Sequence, residues 1–555
     1  MGVTAAGRSP APRLALVGLS GSGKGTVGRL LARRLGVPFL DLDRLVELEA
    51  GAPVAAIWSA EGEEGFRRRE AGALERALTL EAVVLATGGG TPLLPGAMER
   101  LLAWGRVVWL DAPPERLAAR LEGEEARARP LFRGGRPLEL LRRQLQERSP
   151  VYRRAIRVEA GGPPGEVAER VRAAAALGED CPPLEPRLLP VGDRYEVEMS
   201  LAAPERLAGW LAQQGARRAV ILAEPLTAAL AGVEVEEACR RRGLRAELLL
   251  YPGGEEAKRL PTVERLYHDL LRLGADRSTW LLAVGGGVTT DLGGFVAATF
   301  LRGLPWVAVP TTLLAQVDAA IGGKTGVDLE EGKNLVGAFY PPRRVAVDLR
   351  WLMALPGELF LEGMGEVVKA AIIAGEPLFG WLERERPAIL ARRPEALQTL
   401  VARAAAVKAE VVAADEREAG PREVLNLGHT FAHALEAASG YRLRHGAAVG
   451  VGLRLAARRA AEEGLLPETE RARIEALLDA YGLGAPPGRL GEAALGEALA
   501  VDKKRRSGRL RLVLPRAVGD VRTGHACDAA DLAAWLARAV ERLSWEAGPV
   551  GGPAS

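Results

Sequence analysis

Gly18-Leu19-Ser20-Gly21-Ser22-Gly23-Lys24 stands between a short apolar run, Leu14 to Val17, and a stretch, Val27 to Gly36, whose apolar spacing suits a helix. The glycines let backbone N–H groups turn toward phosphate oxygens, and Lys24 carries positive charge toward a transferring phosphoryl group. Gly25 occupies the position that usually supplies a magnesium-binding hydroxyl, with Thr26 next. The pattern predicts an ATP site built from Gly21, Gly23, Lys24, Gly25 and Thr26, with Asp41 helping to hold magnesium. Asp41-Leu42-Asp43 closes the apolar run Val37 to Leu40, where one carboxylate can serve a metal and the other a substrate hydroxyl.

A second concentration of chemistry lies far along the chain. Three of the five histidines, His429, His433 and His445, fall in one short region, the first two four residues apart and so on one face of a helix. Glu366 and Lys369 sit on neighbouring turns of the segment EVVKAA. Imidazoles and one carboxylate make a catalytic zinc shell that leaves room for substrate oxygens, although spacing alone leaves open which histidines are ligands. Gly285-Gly286-Gly287, Pro310-Thr311-Thr312 and the run Gly253 to Lys258 offer turns, hydroxyls and charges suited to a dinucleotide, without the G-x-G-x-x-G fingerprint.

These residues need elements to hold them. Strand-like runs at 14–18, 83–87 and 106–111 alternate with helical stretches, which predicts a parallel α/β sheet. Prolines and glycines between 159 and 190 predict a connector. Runs at 195–200, 218–223, 246–253 and 280–287 open a second α/β region, and beyond about Arg350 the pattern is mainly helical, with LRLVLPRAVGD near the end as an exposed β-like exception. The expected fold class is α/β: a P-loop kinase domain of three α/β/α layers over 1–158, a linker over 159–190, a Rossmann-like domain over 191–350, a mainly helical metal-binding domain over 351–545, and a tail over 546–555.

With 555 residues the chain exceeds one ordinary core. Its 74 basic and 71 acidic residues nearly balance, giving no general reason to expect nucleic acid as a partner. Cys181, Cys239 and Cys527 are too far apart to suggest a disulfide framework or thiolate metal cluster, and no segment is apolar for the length of a membrane span. A cytoplasmic location follows as the expectation.

The N-terminal part resembles shikimate kinase: besides the phosphate loop it carries Asp41-Leu42-Asp43, Gly62-Glu63-Glu64-Gly65-Phe66-Arg67, Gly88-Gly89-Gly90 and Arg129-Pro130-Leu131. The resemblance implies that Asp43, Arg67, Gly89 and Arg148 contact shikimate while Arg129 belongs to a lid near ATP. The part from about Val191 resembles 3-dehydroquinate synthase. That likeness implies zinc, with cobalt as a substitute, held by Glu366, His429 and His445, and NAD held by Glu255, Lys258, Gly286, Gly287, Asp291, Thr311 and Thr312. It further implies catalytic roles for Asp318, Lys324, Lys369, Lys408, Asn426 and His433, and substrate contacts from Arg302, Lys333, Asn334, Arg422, Lys503 and Lys504. The implied substrate is 3-deoxy-D-arabino-heptulosonate 7-phosphate, oxidised transiently by NAD, relieved of phosphate, reduced again and closed to 3-dehydroquinate. A homodimer through the synthase-like part is implied as well. The competing readings are another small-metabolite kinase or an inactive ATP-binding module, joined to a related sugar-phosphate cyclase or polyol dehydrogenase. Ala223-Glu224-Pro225 departs from the aspartate that the resemblance implies after the strand-like run 218–223.

Overall fold

The computed structural model describes residues 12–121, 137–418, 420–484, 488, 490–500 and 510–546. Arg129, Lys503 and Lys504 lie outside the described residues, as does the tail from 547.

The first sheet contains β1 (Arg13–Val17), β2 (Phe39–Asp41), β3 (Val83–Ala86), β4 (Arg106–Asp111) and β5 (Ile156–Glu159), all parallel in the order β2-β3-β1-β4-β5. β3 is buried along its whole length, and β1 and β4 nearly so, which explains their unbroken apolar runs: a parallel strand covered on both faces has no polar side. The expected end of this unit near 158 is too early. The helix Pro164–Ala174 packs on the helix Lys24–Leu35 and buries Val167, Ala168 and Val171. Prolines at its start fix φ where no helical hydrogen bond is lost, so they initiate the helix rather than prevent it.

The second sheet holds β6 (Arg187–Val191), β7 (Tyr195–Ser200), β8 (Arg218–Ala223), β9 (Arg245–Leu250), β10 (Trp280–Gly285), β11 (Trp306–Pro310) and β14 (Arg344–Asp348), in the order β6-β7-β14-β11-β10-β8-β9. Only β6 is antiparallel, and it sits at the edge, where Pro190 is tolerated. The expected linker therefore also contributes a strand. β12 (Lys324–Leu329) and β13 (Gly332–Phe339) form a separate hairpin. From Leu349 onward helices dominate, interrupted by the pair β15 (Leu510–Ala517) and β16 (Asp520–Cys527). β15 is largely buried rather than exposed.

The two units touch directly. The Glu81 N–H donates to the Ala354 carbonyl at 3.0 Å, and Leu48 joins an apolar cluster with Ala228, Ala231 and Trp351. Cys239 and Cys527 are buried and all three cysteines are free thiols. Among the described residues no helix is long and apolar enough to cross a membrane.

Candidate active sites

In the first unit the phosphate loop joins β1 to the helix Lys24–Leu35. Gly21 and Gly23 take φ of 80° and 90°, a region that side chains with a Cβ rarely adopt, and no side chain caps the helix start. Its N–H groups are therefore available to an anion. Lys24 Nζ donates to the carbonyls of Gly18 at 2.8 Å and Leu19 at 3.0 Å, and the buried Ser22 hydroxyl has no partner. These features fit a triphosphate. Asp41 ends β2 and caps the next helix, Leu42–Ala50, accepting from the Asp43 N–H at 3.1 Å. Burial pushes its carboxyl up, against the opposing pull of the Arg44 N–H and the charges of Lys24 and Arg29.

The substrate side converges on Gly88-Gly89-Gly90. A Cβ placed on Gly88 would lie 2.7 Å from Asp43 Oδ1, one on Gly89 3.0 Å from Arg148 Nη1, and one on Gly90 2.3 Å from Arg67 Nη1. The triple glycine thus makes room for three expected substrate residues at once. Arg67 is carried there by the helix Val54–Leu78, which breaks at Gly62 with φ of 69°. Glu70 was not anticipated from sequence. Buried at 1% exposure, it accepts from Arg67 Nη1 at 2.6 Å and Thr91 Oγ1 at 2.5 Å, fixing the guanidinium. Its i+3 spacing from Arg67 was the available signal.

In the second unit a cleft of about 1850 Å³ opens at the carboxyl ends of the strands. The strand order reverses between β8 and β10, so Glu224, after β8, and Gly286-Gly287, after β10, flank the crevice where open α/β sheets take ligands. The helix Gly287–Thr299 starts there without a side-chain cap. Lys258 is buried and donates to Asp291 at 2.7 Å and to Asn334 at 2.6 Å, its ammonium form favoured by Asp291 against the cost of burial. Thr311, Thr312 and Glu255 line the same cleft, Glu255 lying 3.5 Å from Lys333. An uncapped helix end beside glycines, at a switch point, fits a dinucleotide pyrophosphate.

Glu366 and Lys369 come from the helix Gly357–Ala374, His429 and His433 from His429–Ala438, and His445 from the start of His445–Glu462. Glu366 Oε1 lies 3.3 Å from His429 Nε2 and 3.4 Å from His445 Nε2. Both Glu366 oxygens are buried and accept no well-formed hydrogen bond, although Lys369 pairs with the carboxylate. Burial opposes ionisation of Glu366, but Lys369 and His429 hold the carboxyl well below its ordinary value. Burial and Lys369 push His429 toward the neutral form a metal requires. His445 keeps its proton up to a pKa of about 10 despite burial, because Glu366 and Glu436 face its two nitrogens. A field that retains a proton so strongly also suits a divalent cation.

Among the described residues two triads can hold an ion: Glu366, His429 and His445, or His433, Glu436 and His445. The first is favoured, since His429 and His445 both aim Nε2 at one buried carboxylate while Nδ1 is anchored, on the Leu427 carbonyl at 3.2 Å and on Glu436 at 3.3 Å. This donor set fits zinc with an open position. His433 is exposed and lines the cleft.

Cationic groups surround this point. Lys408 donates to Asp318 at 2.6 Å. Arg422 is 1% exposed, with Nη2 lacking a partner, and Gly322 leaves it space: a Cβ there would stand 2.5 Å away. Lys324 pairs with Glu418, which also accepts from Asn426 Nδ2 at 3.1 Å. Glu418 escaped sequence reasoning because one acid in a charged loop carries no pattern. Arg302 does not join the group: it lies in a left-handed turn, φ 66°, and is absent from the cleft lining.

Family models for shikimate kinase match residues 20–175, and those for the N- and C-terminal parts of 3-dehydroquinate synthase match 248–362 and 363–505. A 3-dehydroquinate synthase of Pelobacter propionicus is 44% identical over 304 residues, 55% of this chain and 85% of that protein. A 2-deoxy-scyllo-inosose synthase structure, complexed with carbaglucose-6-phosphate, NAD+ and Co2+, superposes with a TM-score of 0.59 at 27% identity, over 64% of this chain and all of that one. A 2-epi-5-epi-valiolone synthase from Streptomyces hygroscopicus with NAD+ and Zn2+ bound gives 0.56 at 28% identity, over 62% and 97%. The chain belongs to the 3-dehydroquinate synthase family and carries a shikimate kinase unit ahead of the synthase, so that two enzymes share one polypeptide.

Proposed function

We propose that the synthase unit converts 3-deoxy-D-arabino-heptulosonate 7-phosphate to 3-dehydroquinate and phosphate with a recycled NAD and one zinc ion, and that the kinase unit transfers the terminal phosphoryl group of magnesium-bound ATP to shikimate. The observation that carries the first assignment is the approach of a buried carboxylate and two imidazole nitrogens, within 3.4 Å, beside a cleft that a glycine-started helix also enters.

When bound, the dinucleotide supplies a reversible hydride acceptor and the ion a Lewis acid for a substrate alcohol. Lys324 and Arg422 present positive charge to the substrate's carboxylate and phosphate. Asn334 and Asn426 orient hydroxyls, and Asp318 partly offsets the burial that lowers the Lys408 pKa. His433, exposed at the cleft, contacts the leaving phosphate or accepts a proton. In the kinase, Arg67 and Arg148 clamp the shikimate carboxylate, Asp43 orients the attacking hydroxyl, and Lys24 leaves its two carbonyl partners for the phosphates.

Purified full-length protein given each substrate, with phosphate release, ring formation and ADP followed separately, tests both assignments. Full cyclisation by protein stripped of NAD and metal would overturn the first, and shikimate-independent ADP release as the sole ATP chemistry would overturn the second.

A further inference from the structure

We propose that the kinase unit backs the wall of the synthase's cofactor cleft, with Leu80, only 2% exposed, as a positioning residue for dinucleotide binding. This inference rests on the reading of the cleft as a dinucleotide site. The cleft is chemically two-ended. Around Lys408, Arg422 and His445 it is charged, whereas past Glu224 it is bounded by Leu226, Leu230, Trp351 and Leu355 from the synthase, backed by Leu80 from the kinase. An apolar end of this kind takes the flat base of a dinucleotide, whose affinity comes from apolar surface removed from water.

Leu80 is held at this wall by both units. Its carbonyl accepts from Trp104 Nε1 at 3.1 Å inside the kinase, and the next residue, Glu81, donates its N–H to Ala354 at 3.0 Å in the synthase. Arg13 fixes Glu81 from the kinase side, its Nε donating to the Glu81 carbonyl at 3.0 Å. Arg392 Nη1 binds the carbonyls of Leu352 and Met353, at 3.1 and 3.0 Å, in the same short helix, Leu349–Ala354, that presents Trp351. A second contact reinforces the first. The kinase helix Leu42–Ala50, which begins beside Asp41, packs against the Pro225–Gly232 segment, whose Leu226, Thr227 and Leu230 line the cleft. The kinase therefore braces both sides of the apolar end.

The test measures the NAD dissociation constant of the full chain by calorimetry, for the parent, Leu80→Val and Leu80→Ala. Shikimate kinase turnover and thermal transition serve as folding controls. NAD binding should weaken progressively, several-fold in Leu80→Ala as the cavity left behind lets the wall relax, while zinc content and the KM for the heptulosonate phosphate at saturating NAD stay at parent values. The milder valine variant carries the test if alanine compromises the kinase fold. NAD affinity within twofold of the parent in a variant with intact kinase turnover would overturn the inference. A parent chain that binds no NAD would instead overturn the reading of the cleft itself.

Discussion

Glu436 Oε1 lies 3.3 Å from His445 Nδ1, while the ring's other nitrogen faces Glu366. The carboxylate fixes which nitrogen is presented to an ion and makes the imidazole a stronger donor. Glu436→Gln should weaken zinc binding about tenfold, read by competition with a chromophoric chelator. Excess zinc should restore most of the synthase activity. An unchanged zinc dissociation constant would mean that Glu436 merely fills space.

The pair Lys408 and Asp318 predicts a pH effect. Burial and the nearby Lys369 lower the Lys408 pKa, and Asp318 is the largest influence holding it up. In Asp318→Asn the ammonium loses that support, so it deprotonates at lower pH than in the parent. The basic limb of kcat/KM for the anionic heptulosonate phosphate should therefore move toward lower pH. Superimposable basic limbs would refute the coupling.

Gly25 leaves space that a hydroxyl can use. A Cβ there would lie 3.6 Å from Arg29 Nη1 and 3.8 Å from Asp41 Oδ2, ordinary contact distances. Gly25→Ser adds an oxygen ligand next to Asp41 at a helix position where serine is tolerated. The magnesium concentration for half-maximal shikimate phosphorylation should fall several-fold, on the order of one added ligand's contribution. No change would show that the ion is held elsewhere.

The sites were legible where residue type and spacing are both constrained by chemistry. The phosphate loop needs glycines at positive φ, and the imidazoles His429 and His433 declare a helix face by their separation. Burial made β1, β3 and β4 readable as unbroken apolar runs. Where two physical readings share one composition, the sequence misled. Pro163 and Pro164 resemble a linker yet open a helix, and Pro190 resembles a break yet sits on an edge strand. Glu418 and Glu436 act through partners brought close by folding, and among 71 acidic residues nothing local distinguishes them, while Glu70 shows only its i+3 spacing from Arg67.

Glu70 gives the kinase its sharpest test. Buried at 1% exposure, it holds Arg67 by a 2.6 Å bond and Thr91 by a 2.5 Å bond, so the guanidinium meets the substrate already aligned. Arg67→Ala removes one arm of the carboxylate clamp and leaves Glu70 buried without its cation. The KM for shikimate should rise about a hundredfold, the scale of losing a charged bidentate contact, with some loss of thermal stability. Glu70→Gln keeps one acceptor oxygen for Arg67, turns the other position into an N–H donor that the Thr91 hydroxyl can accept, and removes the charge that anchors the guanidinium, so the KM should rise less. The KM for ATP should stay near the parent's in both variants, because the phosphate loop is built from other residues. If the two variants instead raised the KM for ATP and spared shikimate, Arg67 would belong to the nucleotide, and the assignment of the Gly88–Gly90 turn as the carboxylate site would fall with it.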